Sequence, residues 1–554
     1  MSDAPAPLLQ VRDLLIRADG PKGPLDLVKG ISFDLHPGEV LGLIGESGAG
    51  KSTLGMAALG YLRPGCYVAG GAVLLDGVDM LHQTEAGLRR LRGGRISYVA
   101  QSAAAAFNPF FTLMTQIGEV LRRFDRSDGG KRRLRIERLL GHLGLPDPHA
   151  FARRYPHQAS GGQLQRAMTA MAMAPEPQIV VFDEPTTALD VTTQLEVLAT
   201  IKRAIREQGS AALYISHDLA VVSQICDRIL VLRYGEQVET GTTRQIVDAP
   251  RQAYTRALLS VGHAAPSQPA PALRGDALPL LKVEGVSAAY GGVPVLHEVS
   301  VSLRKGSTLA LVGESGSGKS TLARVVAGLL PPTAGRIEYE GTPLAPRLGR
   351  RDKDTLRRIQ MIFQTPDTAL NPHQTVGQIV GRPLAFYFGL SRREIRRRVE
   401  ELLAAVELEP ALLHRGSTTL SGGQKQRLAI ARALAAEPDC LLCDEVTASL
   451  DPLIGAGIIE LLDRLRRERG VSYVFITHDL SIVQAIADDI AVMEQGRVVD
   501  YGSRASVLSE PLHPTTGLLL SSQPSTEEGW LERTFAERQG RGSSAPPRER
   551  LVAV

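Results

Sequence analysis

Short apolar runs alternate along this chain with longer stretches in which apolar residues recur at helical spacing among charges. The runs Glu39–Ile44, Ile179–Phe182 and Ala212–Ile215 read as buried strands, as do Thr308–Val312, Leu441–Cys443 and Tyr473–Ile476. Two of them, Glu39–Ile44 and Thr308–Val312, lead into a glycine-rich loop and then a helical pattern. Alternating strands and helices predict an α/β core on a largely parallel sheet. The stretches 101–155 and 364–418 are charged and helical, and contain the basic runs Lys131–Arg138 and Arg392–Arg398. A basic run can mark a nucleic-acid patch, but apolar residues at helical spacing favour a solvated helix face.

The chain repeats itself. Gly45–Ser52 recurs as Gly313–Ser320, Ser160–Gln163 as Ser421–Gln424, Phe182-Asp183-Glu184 as Cys443-Asp444-Glu445, and Ser216-His217-Asp218 as Thr477-His478-Asp479. The last three pairs keep one separation, so a small insertion or deletion lies between the first and second motifs. At 554 residues the chain therefore reads as two large similar units. Residues 264–279, rich in Pro and Ala, read as a linker. The polar tail 521–554 is expected to be mostly disordered, with Trp530 able to dock.

Composition adds limits. Hydrophobic residues make up 43%, enough for a core in each half, and the net charge of +4 gives no case for a nucleic-acid-coating protein. Four scattered cysteines fit a reducing compartment. Met1–Gln10 shows no leader pattern, so no export signal is expected. No apolar run approaches the roughly 18–20 residues that cross a bilayer. Cys440 and Cys443 form a C-x-x-C, yet in a strand that spacing puts the thiols on opposite faces. They read as buried, inert thiols rather than a metal or redox pair.

The two G-x-x-x-x-G-K-S loops carry the chemistry. Gly45, Ser47, Gly48 and Gly50, and Gly313, Ser315, Gly316 and Gly318, let backbone N–H groups turn inward around phosphates. The helices opening at Lys51, Ser52 and Thr53 and at Lys319, Ser320 and Thr321 add their positive dipole ends. Lys51 and Lys319 would reach the β- and γ-phosphates, while the Ser52 and Ser320 hydroxyls would bind Mg²⁺. Each Asp-Glu pair ends an apolar strand. Asp183 or Asp444 would help hold the metal, and Glu184 or Glu445 would orient the attacking water.

Taken together, these motifs resemble the ABC ATPase family over about Leu8 to Leu520. The resemblance implies two tandem ABC-type P-loop NTPase domains. Each is expected to be a RecA-like α/β core with a helical subdomain and an antiparallel β part. The expected domains are 1–263, with its helical subdomain at about 102–158, and 280–520, with its own at about 365–419. In that family Ser160, Gly161, Gly162 and Gln163, and Ser421, Gly422, Gly423 and Gln424, are signature motifs. Each signature closes over ATP on the other domain's phosphate loop, so Lys51 is expected to work with Ser421 and Lys319 with Ser160. Gln101 and Gln364 resemble the Q-loop glutamines that contact metal or water, and His217 and His478 the switch histidines. Residues 188–190 and 449–451 resemble the D-loops. The implied cofactors are ATP and Mg²⁺, and the implied activity is ATP hydrolysis at both sites.

A narrower resemblance is to the ATP-binding subunits of dipeptide and oligopeptide importers. It rests on Asn108-Pro109 and Asn371-Pro372 after the Q-loops, the Gly-Glu-Ser-Gly form of both phosphate loops, and the remnants Ala253–Leu259 and His513–Leu519 beyond each core. It implies import of a peptide-like solute, with two transmembrane permease subunits and an extracytoplasmic solute-binding protein as partners. The implied place is the cytoplasmic face of the cell membrane, and no nucleic acid is expected. The sequence also departs from the family. No cysteine follows Cys443, so no iron–sulfur cluster is expected. Ala159 stands where the signature usually has Leu. Tyr290 can stack on adenine, but the first-half counterpart is Ala18. A ribosome-associated ABC factor and an exporter or DNA-repair ATPase remain as alternatives. The short linker argues against the first, and the paired Asn-Pro and Tyr-Thr elements against the second.

Overall fold

The computed structural model describes residues 6–20, 23–125, 127–187, 189–260, 278–448, 450–509 and 511–541. The expected linker lies outside them except for its last two residues, as do Ala188 and Ser449 of the D-loops. The described residues form two compact units. Those up to Ser260, together with those from Pro524 on, make the first, and the residues between them, through Gln523, make the second.

In the first unit a six-stranded sheet runs in the order Glu236–Thr242, Arg228–Arg233, Val40–Ile44, Ala211–Ser216, Ile179–Asp183, Ile96–Val99. Only the first pair is antiparallel. The parallel strands Val40–Ile44 and Ile179–Asp183 are buried throughout, which explains why they read as continuous apolar runs rather than alternating ones. A four-stranded antiparallel sheet, Gly23–Leu35, Leu9–Gly20, Cys66–Leu75, Val78–Asp79, packs its apolar face on the first. Between Gln101 and Ala159 stand the helices Leu113–Phe124, Gly129–His142 and Pro148–Ala152.

The second unit repeats the plan. Its main sheet runs Ile359–Ile362, Cys440–Asp444, Ser472–Ile476, Thr308–Val312, Asp489–Glu494, Arg497–Ser503. Its antiparallel sheet runs Val293–Leu303, Leu281–Tyr290, Ala334–Tyr339, Thr342–Pro343. The basic run of helix Arg392–Ala405 is paired along the helix, Arg396 with Glu400 at 3.2 Å and Arg397 with Glu401 at 2.8 Å. That arrangement is a solvated face. Cys440 lies in the core under the antiparallel sheet, while Cys443 lies in the core under the helices. Burial raises both thiols, Cys440 to about 12, so neither is reactive at neutral pH.

For residues 521–541 the structure corrects the expectation of disorder, while 542–554 lie outside the described residues. Residues 530–541 form the helix Trp530–Arg541, which packs along Val191–Gln208 of the first unit. Trp530 and Leu531 are buried. The Gln224 amide donates to the carbonyls of Ser525 (2.6 Å) and Glu527 (2.9 Å) and accepts from Leu531 N–H at 3.1 Å. Lys202 pairs with Glu532 at 2.6 Å, and Arg538 donates to the Thr192 carbonyl at 3.0 Å. A short apolar face is enough here because one side-chain amide on the receiving surface satisfies three backbone groups. Composition hides this, since it averages that face with a polar tail.

Candidate active site

The phosphate loops follow the central strands Val40–Ile44 and Thr308–Val312, at the carboxyl ends where parallel α/β sheets bind ligands. Gly45 has φ 154°, and a Cβ there would stand 2.1 Å from the Leu232 carbonyl oxygen. Gly313, at φ 149°, would meet Met493 in the same way at 2.2 Å. The first glycine of each loop is thus fixed by close backbone approach. Lys51 Nζ donates to the carbonyls of Gly45 (2.6 Å) and Glu46 (2.9 Å). Lys319 Nζ does the same to Gly313 (2.8 Å) and Glu314 (2.7 Å). Both ammonium groups therefore curl over their own loop, and both lysines are buried.

Asp183 and Asp444 end the strands next but one to the central ones, beyond Ala211–Ser216 and Ser472–Ile476. Ser52 Oγ donates to Asp183 Oδ1 at 2.8 Å, and Ser320 Oγ to Asp444 Oδ1 at 2.7 Å. A hydroxyl beside a carboxylate is the hard-oxygen pair that suits Mg²⁺ when nucleotide phosphates complete the shell. Among the described residues no cluster of three or more acidic, His or Cys side chains could hold a metal alone. A site that shares its ion with phosphate needs none. Burial raises the Asp444 carboxyl.

Glu184 and Glu445 follow, each at φ 48°, in the left-handed region. Such a conformation costs a glutamate on the order of 1–3 kcal/mol and persists where surroundings fix it. Here Glu184 N–H donates to the Ile215 carbonyl at 2.9 Å and Glu445 N–H to Ile476 at 3.0 Å. The turn aims each carboxylate at two neighbours. Gln101 Nε2 donates to Glu184 at 2.9 Å, and His217 Nδ1 lies 3.3 Å from its other oxygen. Gln364 donates to Glu445 at 2.5 Å, with His478 Nδ1 at 3.6 Å. Burial acts to lift the Glu184 carboxyl, but the hydrogen bond and charge of His217 outweigh it and hold it below the usual range. Glu445 is lowered first by its hydrogen bond from His478. Both imidazoles are raised, because the glutamate beside each outweighs burial. An ionised carboxylate beside a phosphate cradle can position and polarise water.

The signature motifs stand apart from these clusters as exposed N-termini of the helices Gly161–Met173 and Gly422–Leu434. Ser160 and Ser421 cap them, each in a reciprocal box with Gln163 or Gln424. Leu420 is buried in the core beneath its motif, whereas Ala159 is half-buried. Tyr290 ends its strand 40% exposed, and its hydroxyl accepts from Arg324 at 3.2 Å. Leu9 and Leu281 hold the same pairing places in their sheets, and the register carried forward gives Ala18 the position that Tyr290 holds in the second unit. Ala18 pairs with Leu25 and Cys66, neither of them aromatic.

Sequence reasoning did not single out two side chains that touch these groups in the first unit. Tyr98 donates to Asp183 Oδ2 at 2.7 Å, and the Tyr254 hydroxyl accepts from Glu46 N–H at 3.1 Å. Tyr98 could have been found from its place three residues before the Q-loop glutamine. Tyr254 stood in a recognised element, but nothing in the sequence tied that element to the loop.

The sequence model for the ABC transporter family matches residues 28–187 and again 296–448. The chain belongs to the ABC transporter ATP-binding family. A second model, for the C-terminal region of oligopeptide/dipeptide transporters, matches this ABC ATPase twice, at 238–279 and 499–547. The ABC ATPase is 38% identical over 527 residues to the peptidoglycan transport ATP-binding protein YejF of Agrobacterium fabrum, covering 93% of this chain and 96% of that protein. It is 36% identical over 566 residues to the glutathione import ATP-binding protein GsiA of Escherichia coli K12, covering 94% and 90%. Among solved structures, cbiO1 of Clostridium perfringens matches 42% of this ABC ATPase and 91% of its own length, at 35% identity and a TM-score of 0.39.

Proposed function

We propose that this ATPase powers an importer of peptide-like solutes as the peripheral subunit on the cytoplasmic face of the membrane. No helix among the described residues is long and apolar enough to cross a membrane. The spanning parts would be two permease subunits, with an extracytoplasmic binding protein delivering solute. The observation that carries the solute class is the double match to the oligopeptide/dipeptide C-terminal region, one copy after each core. The fused relatives named for peptidoglycan and glutathione transport agree with it.

In this reading both sites hydrolyse ATP. Lys51 and Lys319, with the loop amides, bind the β- and γ-phosphates. Ser52 with Asp183, and Ser320 with Asp444, would hold Mg²⁺, which neutralises charge on the transferring phosphoryl group. Glu184 and Glu445 orient water and accept its proton, and Gln101, Gln364, His217 and His478 position them. Ser160 and Ser421 act on the γ-phosphate held by the other half's loop.

The test is reconstitution of the full chain with its candidate permeases in proteoliposomes. ATP hydrolysis should rise when a binding protein loaded with a dipeptide, an oligopeptide or glutathione is enclosed with them. Copurification with ribosomes or DNA instead, and no permease retained in any nucleotide state, would overturn the transport reading.

A further inference from the structure

We infer that Tyr98 and Tyr254 are positioning residues of the first nucleotide site, one setting its metal carboxylate and the other its phosphate loop, and that the second site works without either. The inference rests on the nucleotide-site reading above and adds residues that reading does not use.

Tyr98 lies on the strand Ile96–Val99, which pairs in parallel with Ile179–Asp183. Its hydroxyl donates to Asp183 Oδ2, while Oδ1 faces Ser52. The carboxylate plane is thus pinned from the side away from the hydroxyl that shares its metal role. Such outer hydrogen bonds orient metal-binding carboxylates, and their loss typically costs about 10–100-fold in metal affinity. In the second unit the strand position paired with Leu442, as Tyr98 is with Val181, is Met361. A thioether cannot donate a hydrogen bond.

Tyr254 acts on the other wall. It lies in the helix Ala253–Ser260, nearly buried at 8% exposure, with the Arg233 guanidinium 4.5 Å from its ring centre. Its hydroxyl holds the N–H of Glu46, and Lys51 holds the carbonyl of the same residue. Both backbone polar groups of the loop's second residue are therefore fixed. Glu184 at φ 48° and glycines at φ above 90° already constrain this site, and the loop amides must point inward before phosphate arrives. In the second unit His513–Leu519 aligns with this element and brings Thr515 to the position of Tyr254. The Thr515 hydroxyl donates to Glu494 at 2.9 Å, and Glu494 stands where the first unit has Arg233.

The experiment uses the full chain in two backgrounds, Lys319→Ala to leave the first site and Lys51→Ala to leave the second. Fluorescent ATP is titrated with Mg²⁺ and with EDTA, and melting is followed alongside. In the Lys319→Ala background, Tyr98→Phe should weaken binding about tenfold with Mg²⁺ and hardly at all with EDTA. Tyr254→Phe should weaken it about fivefold in both conditions, the size of one neutral hydrogen bond. In the Lys51→Ala background neither change should matter. Equal losses at both sites, losses that track a fall in melting temperature, or a Tyr98→Phe effect that survives EDTA would overturn the inference. A Lys319→Ala parent that binds no ATP would overturn the first-site reading itself, and the inference with it.

Discussion

The two halves agree closely where chemistry needs them to and diverge around it. Serine to aspartate is 2.8 Å in one and 2.7 Å in the other, glutamine to glutamate 2.9 and 2.5 Å, and both glutamates sit at φ 48°. The surroundings are distributed differently. The first half carries Tyr98 against Asp183, Tyr254 against the phosphate loop, and Ala18 at the place where the second has Tyr290. The second half carries Tyr290, held by Arg324, on the base side, with Met361 and Thr515 where the first has its tyrosines. Arg324 itself stands where the first half has Met56, one turn into the helix after the phosphate loop. The two copies hold the same few atoms in matching geometry with different supports.

The largest effect should leave this comparison symmetric. Glu184→Gln and Glu445→Gln each keep the fold of the turn and remove the ionised carboxylate. General-base losses run about 10²–10⁴-fold, so each change should silence its own site while ATP still binds. Single-turnover hydrolysis with ATP prebound is the measurement, and the double mutant should hold two ATP unhydrolysed. Unequal losses in the two singles would show that one glutamate already does less work, and would break the equivalence drawn from their geometry.

A smaller effect should fall on the first unit alone. The second unit lacks the amide that anchors the C-terminal helix to the first, because the position of Gln224 is filled there by Ala485. Trp530→Ala should destabilise the first unit by about 3 kcal/mol, as large-to-small changes at buried aromatic positions do. Gln224→Ala should cost less, about 1–3 kcal/mol, for backbone groups left unpaired. Hydrogen exchange resolved by segment reads this: protection should fall in Val191–Gln208 and leave Pro452–Arg469 unchanged. Uniform loss across both units would deny the helix its assignment to one of them.

How much of this was legible in the sequence follows the range of the interactions. The phosphate loops, Asp-Glu pairs, glutamines and histidines stand out in the sequence because each depends on local backbone and on fixed residue types. The cysteines at 440 and 443 were read correctly from strand alternation alone. Tyr98, Tyr254 and Gln224 were not found. Each acts across a gap of 85, 208 or about 300 residues through one hydroxyl or amide, and no local pattern records that. The helix Trp530–Arg541 was missed for the same reason, since its stability comes from the surface that receives it rather than from its own propensity.

The smallest effect separates the base side from the phosphate side. Ala18 shares its sheet face with Leu25 and Cys66, while Tyr67 pairs with Arg17 and so lies on the opposite face, away from the Tyr290 position. In the arrangement expected of the family, the first site would offer adenine an aliphatic surface and the second a ring. Aromatic stacking on a base is worth about 1–3 kcal/mol, and every base has a π-face. The useful comparison is then ATP against a triphosphate without a base. Both ligands meet the same loop, lysine and tyrosine supports, so those supports cancel in the ratio of affinities. With the first site silenced by Lys51→Ala, ATP should bind the second site better than inorganic triphosphate by a factor about tenfold larger than at the first site with Lys319→Ala. Ala18→Tyr should raise the first-site ratio, but only in part, because Met56 cannot donate to the new hydroxyl as Arg324 does to Tyr290. Equal ratios at the two parent sites would mean that Leu25 and Cys66 replace the ring at no loss, and that the division between base-side and phosphate-side support is a difference of residues without a difference in binding.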